Sequence, residues 1–211
     1  MREERQGDQR YVKSCRADFW QRVFRFEADY LAGLLGGCRD VLGVGCGPAV
    51  VEAELTRRGY RVTGLDASPS MLPGRSAELR AVVARAEGLP FPADVFDAVI
   101  FVVSLQFVED YREAVGQAAR VLKPEGTLVA LLLNPASDFF RKRRREPDSY
   151  VHGVRHADVG PIADTVAGHF RVRTEYLLGV RGETLFESRD PGEAVLYSVA
   201  GVKRADGRRG P

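Results

Sequence analysis

Short apolar runs alternate along this chain with stretches in which apolar residues recur three and four apart. The first pattern marks strands buried on both faces, the second helices with one covered face. Residues 11–35 open with Phe19, Val23, Phe26, Tyr30 and Leu34 on one helical face, and Gly36-Gly37 stops that helix. Residues 40–44 then read as a strand, 48–58 as a helix ended by Gly59, and 61–65 as a second strand. Ser68-Pro69 marks a helix start, with a serine oxygen to cap free N–H groups and a proline suited to the first helical position. Further strands are expected at 79–83 and at 95–103, the latter apolar apart from Asp97. A helix over 111–122, closed by a turn at 123–126, leads into a fifth buried strand at 127–133.

Beyond Asn134 the pattern becomes polar, with prolines at 135 and 147, and reads as an excursion over 134–156 on the substrate side. A helix near 158–167, strands at 171–178 and 194–202, and a frayed tail at 203–211 complete the chain. Strand and helix in alternation predict an α/β fold with a mostly parallel sheet. One domain over 1–211 is expected, with a helical cap (1–36), a core (37–134), the excursion, a C-terminal part of the sheet (157–202) and the tail.

Composition changes this picture little. A chain of 211 residues, 45% hydrophobic, is long enough to bury roughly 70% of its unfolded surface without disulfides or metal. Lys and Arg number 31 against 29 Asp and Glu, so net charge demands no nucleic acid partner. Cys15, Cys38 and Cys46 are an odd count without a CxxC pair, which disfavours a disulfide framework and a zinc site and fits a reducing, cytoplasmic setting. The charged N-terminus and the lack of any apolar run near ~18 residues predict neither signal peptide nor membrane span.

The candidate chemistry begins at Gly43, Gly45 and Gly47, alternate glycines between a buried strand and a helix. Without Cβ atoms the backbone there turns sharply and approaches a ligand closely, beside the free N–H groups of a helix N-terminus. Asp66 follows Gly47 by 19 residues, at the end of the next strand, where it is placed to accept from ribose hydroxyls. The dinucleotide pattern G-x-G-x-x-G fits in neither register, so a nicotinamide oxidoreductase is disfavoured.

Four segments together resemble the class I S-adenosylmethionine-dependent methyltransferases, of the small-molecule type grouped with the ubiquinone and menaquinone enzymes. They are Val41-Leu42-x-Val44-Gly45-Cys46-Gly47-Pro48, then 62–71 with Asp66, Ala67 and Met71, then 86–92 followed by Phe96-Asp97-Ala98-Val99, and finally 119–126. The resemblance covers roughly residues 40–134 and implies a Rossmann-like sheet of seven strands, the last antiparallel and inserted beside the fifth. It implies S-adenosylmethionine as methyl donor and S-adenosylhomocysteine as product. The donor would lie on Gly43, Gly45, Cys46, Gly47, Asp66, Ala67, Met71, Arg85, Ala86, Glu87 and Ser104.

Two positions depart from the pattern. Position 43, usually an acid that holds the network around the donor's ammonium, is glycine. Arg85 stands where an Asp often accepts the adenine amino group, and arginine has only donors; stacking on adenine, or pairing with Asp66 or Glu87, would be its alternatives. Cys46 reads as a small filler. Tyr11 and Trp20 are candidates to close over the donor, with packing on the sheet the commoner role for Trp20.

The catalytic candidates are Gln106, after the fourth strand, and Tyr150 and His152 in the excursion. His152 and His156, four apart, lack a further ligand, so no metal is expected. The run 141–145, Arg-Lys-Arg-Arg-Arg, suits phosphate or RNA, although a solvated helix face is the commoner reading. The expected function is methyl transfer to a small-molecule acceptor. The alternatives are a noncatalytic binder of the same donor, motivated by Gly43 and Arg85, and RNA methylation, motivated by the basic run.

Overall fold

The structure, a computed structural model, describes residues 11–72, 79–147 and 149–204. After a helical turn at 11–14, α1 spans Asp18–Leu34. There follow β1 (Asp40–Val44), α2 (Val50–Arg57), β2 (Arg61–Asp66), β3 (Arg80–Val83), β4 (Phe96–Val102), α3 (Tyr111–Val121) and β5 (Leu122–Leu133). The remainder is α4 (Asp138–Arg143), a 3-10 turn (Tyr150–Gly153), α5 (Gly160–His169), β6 (Phe170–Arg181), β7 (Thr184–Phe186) and β8 (Ala194–Lys203). The tail beyond 204 and the continuation of the helix expected at Ser68-Pro69 lie outside the described residues; residues 69–71 form a turn.

All eight strands share one sheet in the order β3-β2-β1-β4-β5-β8-β6-β7. The first five run parallel, and β8 enters antiparallel between β5 and β6. The expected count of seven is therefore corrected to eight. The addition is β7, a three-residue edge strand folded back on β6 through Gly182, whose φ of 61° suits a two-residue hairpin turn. A strand that short leaves too little alternation to be recognised. The turn expected at 123–126 is absorbed into β5, looping out between the pairs Phe96–Leu122 and Ala98–Thr127.

Alternation along β4 shows how the layers form. Ala98 and Ile100 pack with Leu31 of α1 and Leu55 of α2 on one face, while Val99 and Phe101 pack with Val115 of α3 and Ile162 of α5 on the other. Asp97, the polar interruption, accepts from the N–H groups of Arg39 and Asp40 at 2.9 and 2.8 Å and from Lys123 Nζ at 2.6 Å. It ties the start of β1 to β4. Burial raises its pKa, but these donors outweigh burial and hold it down at about 2.

The buried stripe of α1 is rotated from the one expected: Val23, Glu27, Ala28 and Leu31 are buried, while Phe26, Tyr30 and Leu34 are half-buried. A glutamate in the stripe is what a search for apolar spacing passes over. Because the chain runs from β1 to β2 on one side and later to β4 on the other, a crevice opens beyond the carboxyl ends of β1 and β4, the usual ligand position in such sheets.

Candidate active site

A cavity of about 770 Å³ occupies this crevice, within the range of small-ligand sites. Its floor is the turn after β1. The N–H groups of Gly45 and Cys46 both donate to Leu65 O, at 2.7 and 3.0 Å. Asp66 accepts from Gly47 N with one oxygen and from Ser68 N with the other, each at 2.8 Å. One carboxylate thus holds the turns after β1 and β2 together, and an ionised carboxylate keeps further acceptor capacity for a ligand.

Gly45 has φ of 69°, and a Cβ there would lie 2.5 Å from Ser104 Cβ, so only glycine fits. Ser104 in turn donates to Val44 O at 2.5 Å. Val103, also on the cavity wall, holds a φ of 50°, a strained value for a β-branched residue. Cys46 fills the space above Gly64 of β2, where a Cβ would come within 2.9 Å of its sulfur. Burial pushes its thiol pKa up, which suits a filler and not a nucleophile.

Gly43 does not line the cavity. A Cβ built there would fall 2.5 Å from Glu52 Oε1 and 2.7 Å from Glu52 Cγ. The carboxyl of Glu52, from the first turn of α2, occupies the volume that a side chain at position 43 would need. Glu52 is 3% exposed and lines the cavity; burial raises its pKa to about 7, outweighing a backbone hydrogen bond that lowers it and helped by the charge of Asp66. Glu27 of α1 is 2% exposed, and its Oε2 has no hydrogen-bond partner. Burial, and then the charge of Glu52, raises its pKa to about 8.

At the opposite rim Arg85 donates to Glu87 at 3.1 Å and to Glu109 at 2.9 Å, and not to Asp66. Glu87 Oε1 also accepts from the N–H groups of Glu109 and Asp110 at 3.1 and 3.3 Å. The guanidinium is thereby engaged along the edge formed by residues after β3 and β4.

The roof comes from α1 and the segment after β5, which carries α4 and a 3-10 turn where only a polar excursion was expected. Trp20 makes edge contacts with Phe139 and Tyr150, at 6.3 and 6.0 Å between ring centroids, and Tyr11 meets Tyr150 at 6.1 Å. Trp20 therefore both packs and walls the cavity. Arg143 lies over the rings of Trp20 and Phe139 and pairs with Glu146 at 2.8 Å. Beneath this roof a smaller chamber of about 70 Å³ shares Trp20, Phe24, Val103 and Tyr150 with the main cavity and reaches Glu27.

Of the residues singled out from sequence, Gly45, Cys46, Gly47, Asp66, Ala67, Met71, Arg85, Ala86, Glu87, Ser104, Tyr11, Trp20 and Tyr150 all line the cavity. Gln106 does not. Its amide is spent inside, accepting from Leu133 N at 2.6 Å and donating to Leu133 O and His156 O at 3.1 and 3.3 Å, which pins the excursion to β5. His152 is exposed and contacts Arg144 O at 3.0 Å. His156 contacts the carbonyls of Val108 and Glu109 at 3.1 and 3.2 Å and packs on Tyr111. No three His, Cys, Asp or Glu side chains cluster as metal ligands among the described residues. Within the basic run Arg141 pairs with Asp138, Arg143 joins the roof, and Lys142, Arg144 and Arg145 face solvent.

Sequence reasoning passed over Glu27 and Glu52. A signal existed for Glu27: Val23, Glu27, Leu31 and Leu35 are spaced by four, so the acid sits on a stripe of buried residues.

A family model described as a methyltransferase domain matches residues 42–130. A demethylmenaquinone methyltransferase of Tropheryma whipplei is 36% identical over 115 residues, covering 52% of this chain and 46% of that protein. One from Mycolicibacterium paratuberculosis is 31% identical over 156 residues, 64% of this chain and 68% of that protein. This chain spans about half the length of most of the curated relatives it matches. The solved structure of a Thermotoga maritima S-adenosylmethionine-dependent methyltransferase, called a possible histamine N-methyltransferase, shares the fold with a TM-score of 0.73 at 21% identity. That match covers 94% of this chain and 99% of the other. The glycine turn held by Asp66, the sheet order and these relatives agree: the chain belongs to the class I S-adenosylmethionine-dependent methyltransferase family.

Proposed function

We propose that this chain transfers a methyl group from S-adenosylmethionine to a small-molecule acceptor. The observation that carries the reading is one continuous cavity with a side-chain-free, Asp66-braced glycine floor at one end and an aromatic roof at the other. The residues present fit the donor. Gly45 and Gly47 line the cavity without side chains, so the floor lets a ligand approach the backbone there, and Asp66 retains acceptor capacity for hydroxyls. Ala67 and Met71 offer apolar contact to a nucleoside, and Ala86 and Glu87 lie beside them on the cavity wall.

When bound, the donor supplies an electrophilic methyl group on a sulfonium, transferred by in-line displacement. Orientation and exclusion of water account for much of the rate in such a reaction, so no elaborate acid and base set is required. The chain supplies both through the rings of Tyr11, Trp20, Phe24 and Tyr150 that close the acceptor side. Burial raises the pKa of the Tyr150 phenol, which keeps it a neutral donor and acceptor for orienting a substrate and unsuited to act as a base.

Relatives named for demethylmenaquinone methylation and ubiquinone biosynthesis support a small-molecule acceptor. Two observations favour catalysis over the noncatalytic alternative: Glu52 fills the place left by Gly43, and Arg85 is engaged by Glu87 and Glu109. Within the basic run Arg141 is paired with Asp138 and Arg143 belongs to the roof, which favours a small-molecule acceptor over RNA. Three free cysteines support a cytoplasmic setting, and no helix among the described residues is long and apolar enough to cross a membrane.

Calorimetric titration with S-adenosylmethionine, S-adenosylhomocysteine and NAD tests the donor reading. Binding of the first two alone is expected, followed by product formation in a screen of small hydroxylated and amine acceptors. Binding of NAD, or of none of the three, overturns it.

A further inference from the structure

Two buried acids have no ion-pair partner among the described residues. Glu27 and Glu52 are each at most 3% exposed, and the charges acting on them are those of acids: Glu52 on Glu27, and Asp66 on Glu52. Tyr11, Cys15 and Tyr150 complete the titratable surroundings of Glu27, and Cys46 those of Glu52. Arg143, whose charge acts on the neighbouring Tyr150, is taken by Glu146 and stacked on Trp20 and Phe139.

A buried carboxyl with no partner is unfavourable for the fold, and neutral residues of similar size would remove the penalty. The placement is informative. Glu52 faces the donor end of the main cavity, while the unpartnered oxygen of Glu27 belongs to a side chain lining the adjoining chamber. Position 43 carries no side chain, and Glu52 fills its space. The acids therefore line two adjoining spaces, one each, and act on one another's charge, so a ligand bringing positive charge to Glu52 would complete the pair.

We infer that Glu52, backed by Glu27, forms a cation-reading acid pair for the positively charged amino-acid and sulfonium end of the methyl donor. This rests on the donor reading above. In the free protein at neutral pH, burial keeps Glu27 protonated and Glu52 partly so. An arriving cation favours the ionised form of the pair, so binding expels a proton to solvent. The two positive centres of the donor share this chemistry, and a graded set of probes separates them.

The test is calorimetry at pH 7 in buffers of differing ionisation enthalpy. The probes are S-adenosylmethionine, which carries ammonium and sulfonium, S-adenosylhomocysteine, which carries ammonium only, and 5′-methylthioadenosine, which carries neither. The wild type is expected to release a fraction of a proton with the charged probes and none with methylthioadenosine. Glu52→Gln should weaken the charged probes about tenfold or more, suppress the proton release, and leave methylthioadenosine unchanged. Equal losses for the two charged probes assign the contact to the ammonium, and a loss confined to S-adenosylmethionine assigns it to the sulfonium. Glu27→Gln should reduce the release with a smaller change in affinity. Returning the acid by Gly43→Asp with Glu52→Ala should restore the preference for charged probes over methylthioadenosine. Unchanged binding by Glu52→Gln, or an equal loss for all three probes, overturns the inference while the donor reading stands. Failure of the wild type to bind any probe overturns the donor reading itself.

Discussion

Glutamine at position 27 should make the protein more stable, and more so as the pH rises. The side chain of Glu27 is 2% exposed, so solvent screens little of its desolvation. Its pKa lies at about 8 in the fold, against 4.5 for an ordinary glutamate. Across that window the folded chain holds a proton that the unfolded chain has released, so stability declines as pH rises from 4.5 toward about 8. At pH 7 the unfolded chain gains roughly 2.5 pH units of ionisation at about 1.4 kcal/mol each, or about 3–4 kcal/mol, against about 1 kcal/mol at pH 5. Glutamine is nearly isosteric and does not ionise, so the pH-dependent part vanishes in Glu27→Gln. The advantage of the variant should grow by about 2–3 kcal/mol between pH 5 and pH 7, or about 4–12 °C in Tm for a chain of this size. Urea unfolding of both proteins at half-unit intervals of pH measures it, and using the difference between pH values cancels the fixed cost of exchanging an acid for an amide. Parallel stability curves, with no divergence above pH 5, would refute the reasoning.

Asp66→Ala should weaken S-adenosylhomocysteine binding about tenfold or more, because it removes both a ligand acceptor and the brace from Gly47 to Ser68; unchanged affinity by calorimetry would remove that role. Asp97→Asn should lose about 2 kcal/mol at neutral pH, since a carboxylate depressed to about 2 contributes stability above pH 3.8 that disappears as pH falls through about 2. Urea midpoints for the two proteins should therefore converge in acid. Gly179→Ala forces a Cβ to within 2.2 Å of the Phe186 ring, so a loss of about 1–3 kcal/mol with faster amide exchange confined to β7 and its pairing on β6 is expected. Exchange that spreads across the whole sheet would contradict a local role.

The parallel core was legible because its signals are local and repeated. Fully buried β4 and β5 read as apolar runs, and Gly45, Gly47 and Asp66 each carry a constraint visible in their residue type. What escaped depends on contacts between distant segments. Gln106 looked available because it follows a strand in the region that faces a ligand, yet its amide is consumed by Leu133 and His156, 27 and 50 residues away. The excursion looked unstructured because its order comes from Trp20 and Arg143 packing across the cavity, not from periodicity within it. Glu52 drew no notice: an acid in the first turn of a helix is ordinary, favoured there by the helix dipole, and only the three-dimensional neighbourhood of Gly43 gives it another meaning.

That neighbourhood also constrains how such a sequence changes over time. One small volume between β1 and α2 takes a carboxyl from position 43 or from position 52, and the 2.5 Å approach of Glu52 to a Cβ at Gly43 means that Glu52 must move aside before a second acid fits there. A lineage passing from one arrangement to the other has two orders of substitution available, and they are unequal. Acquiring the second acid first crowds two like charges into a packed interior, whereas losing the first leaves a small vacancy that a later change refills. Of the two orders, the one through a chain with neither acid avoids the crowding, and a chain at that stage would keep its fold while its hold on a charged ligand lapsed.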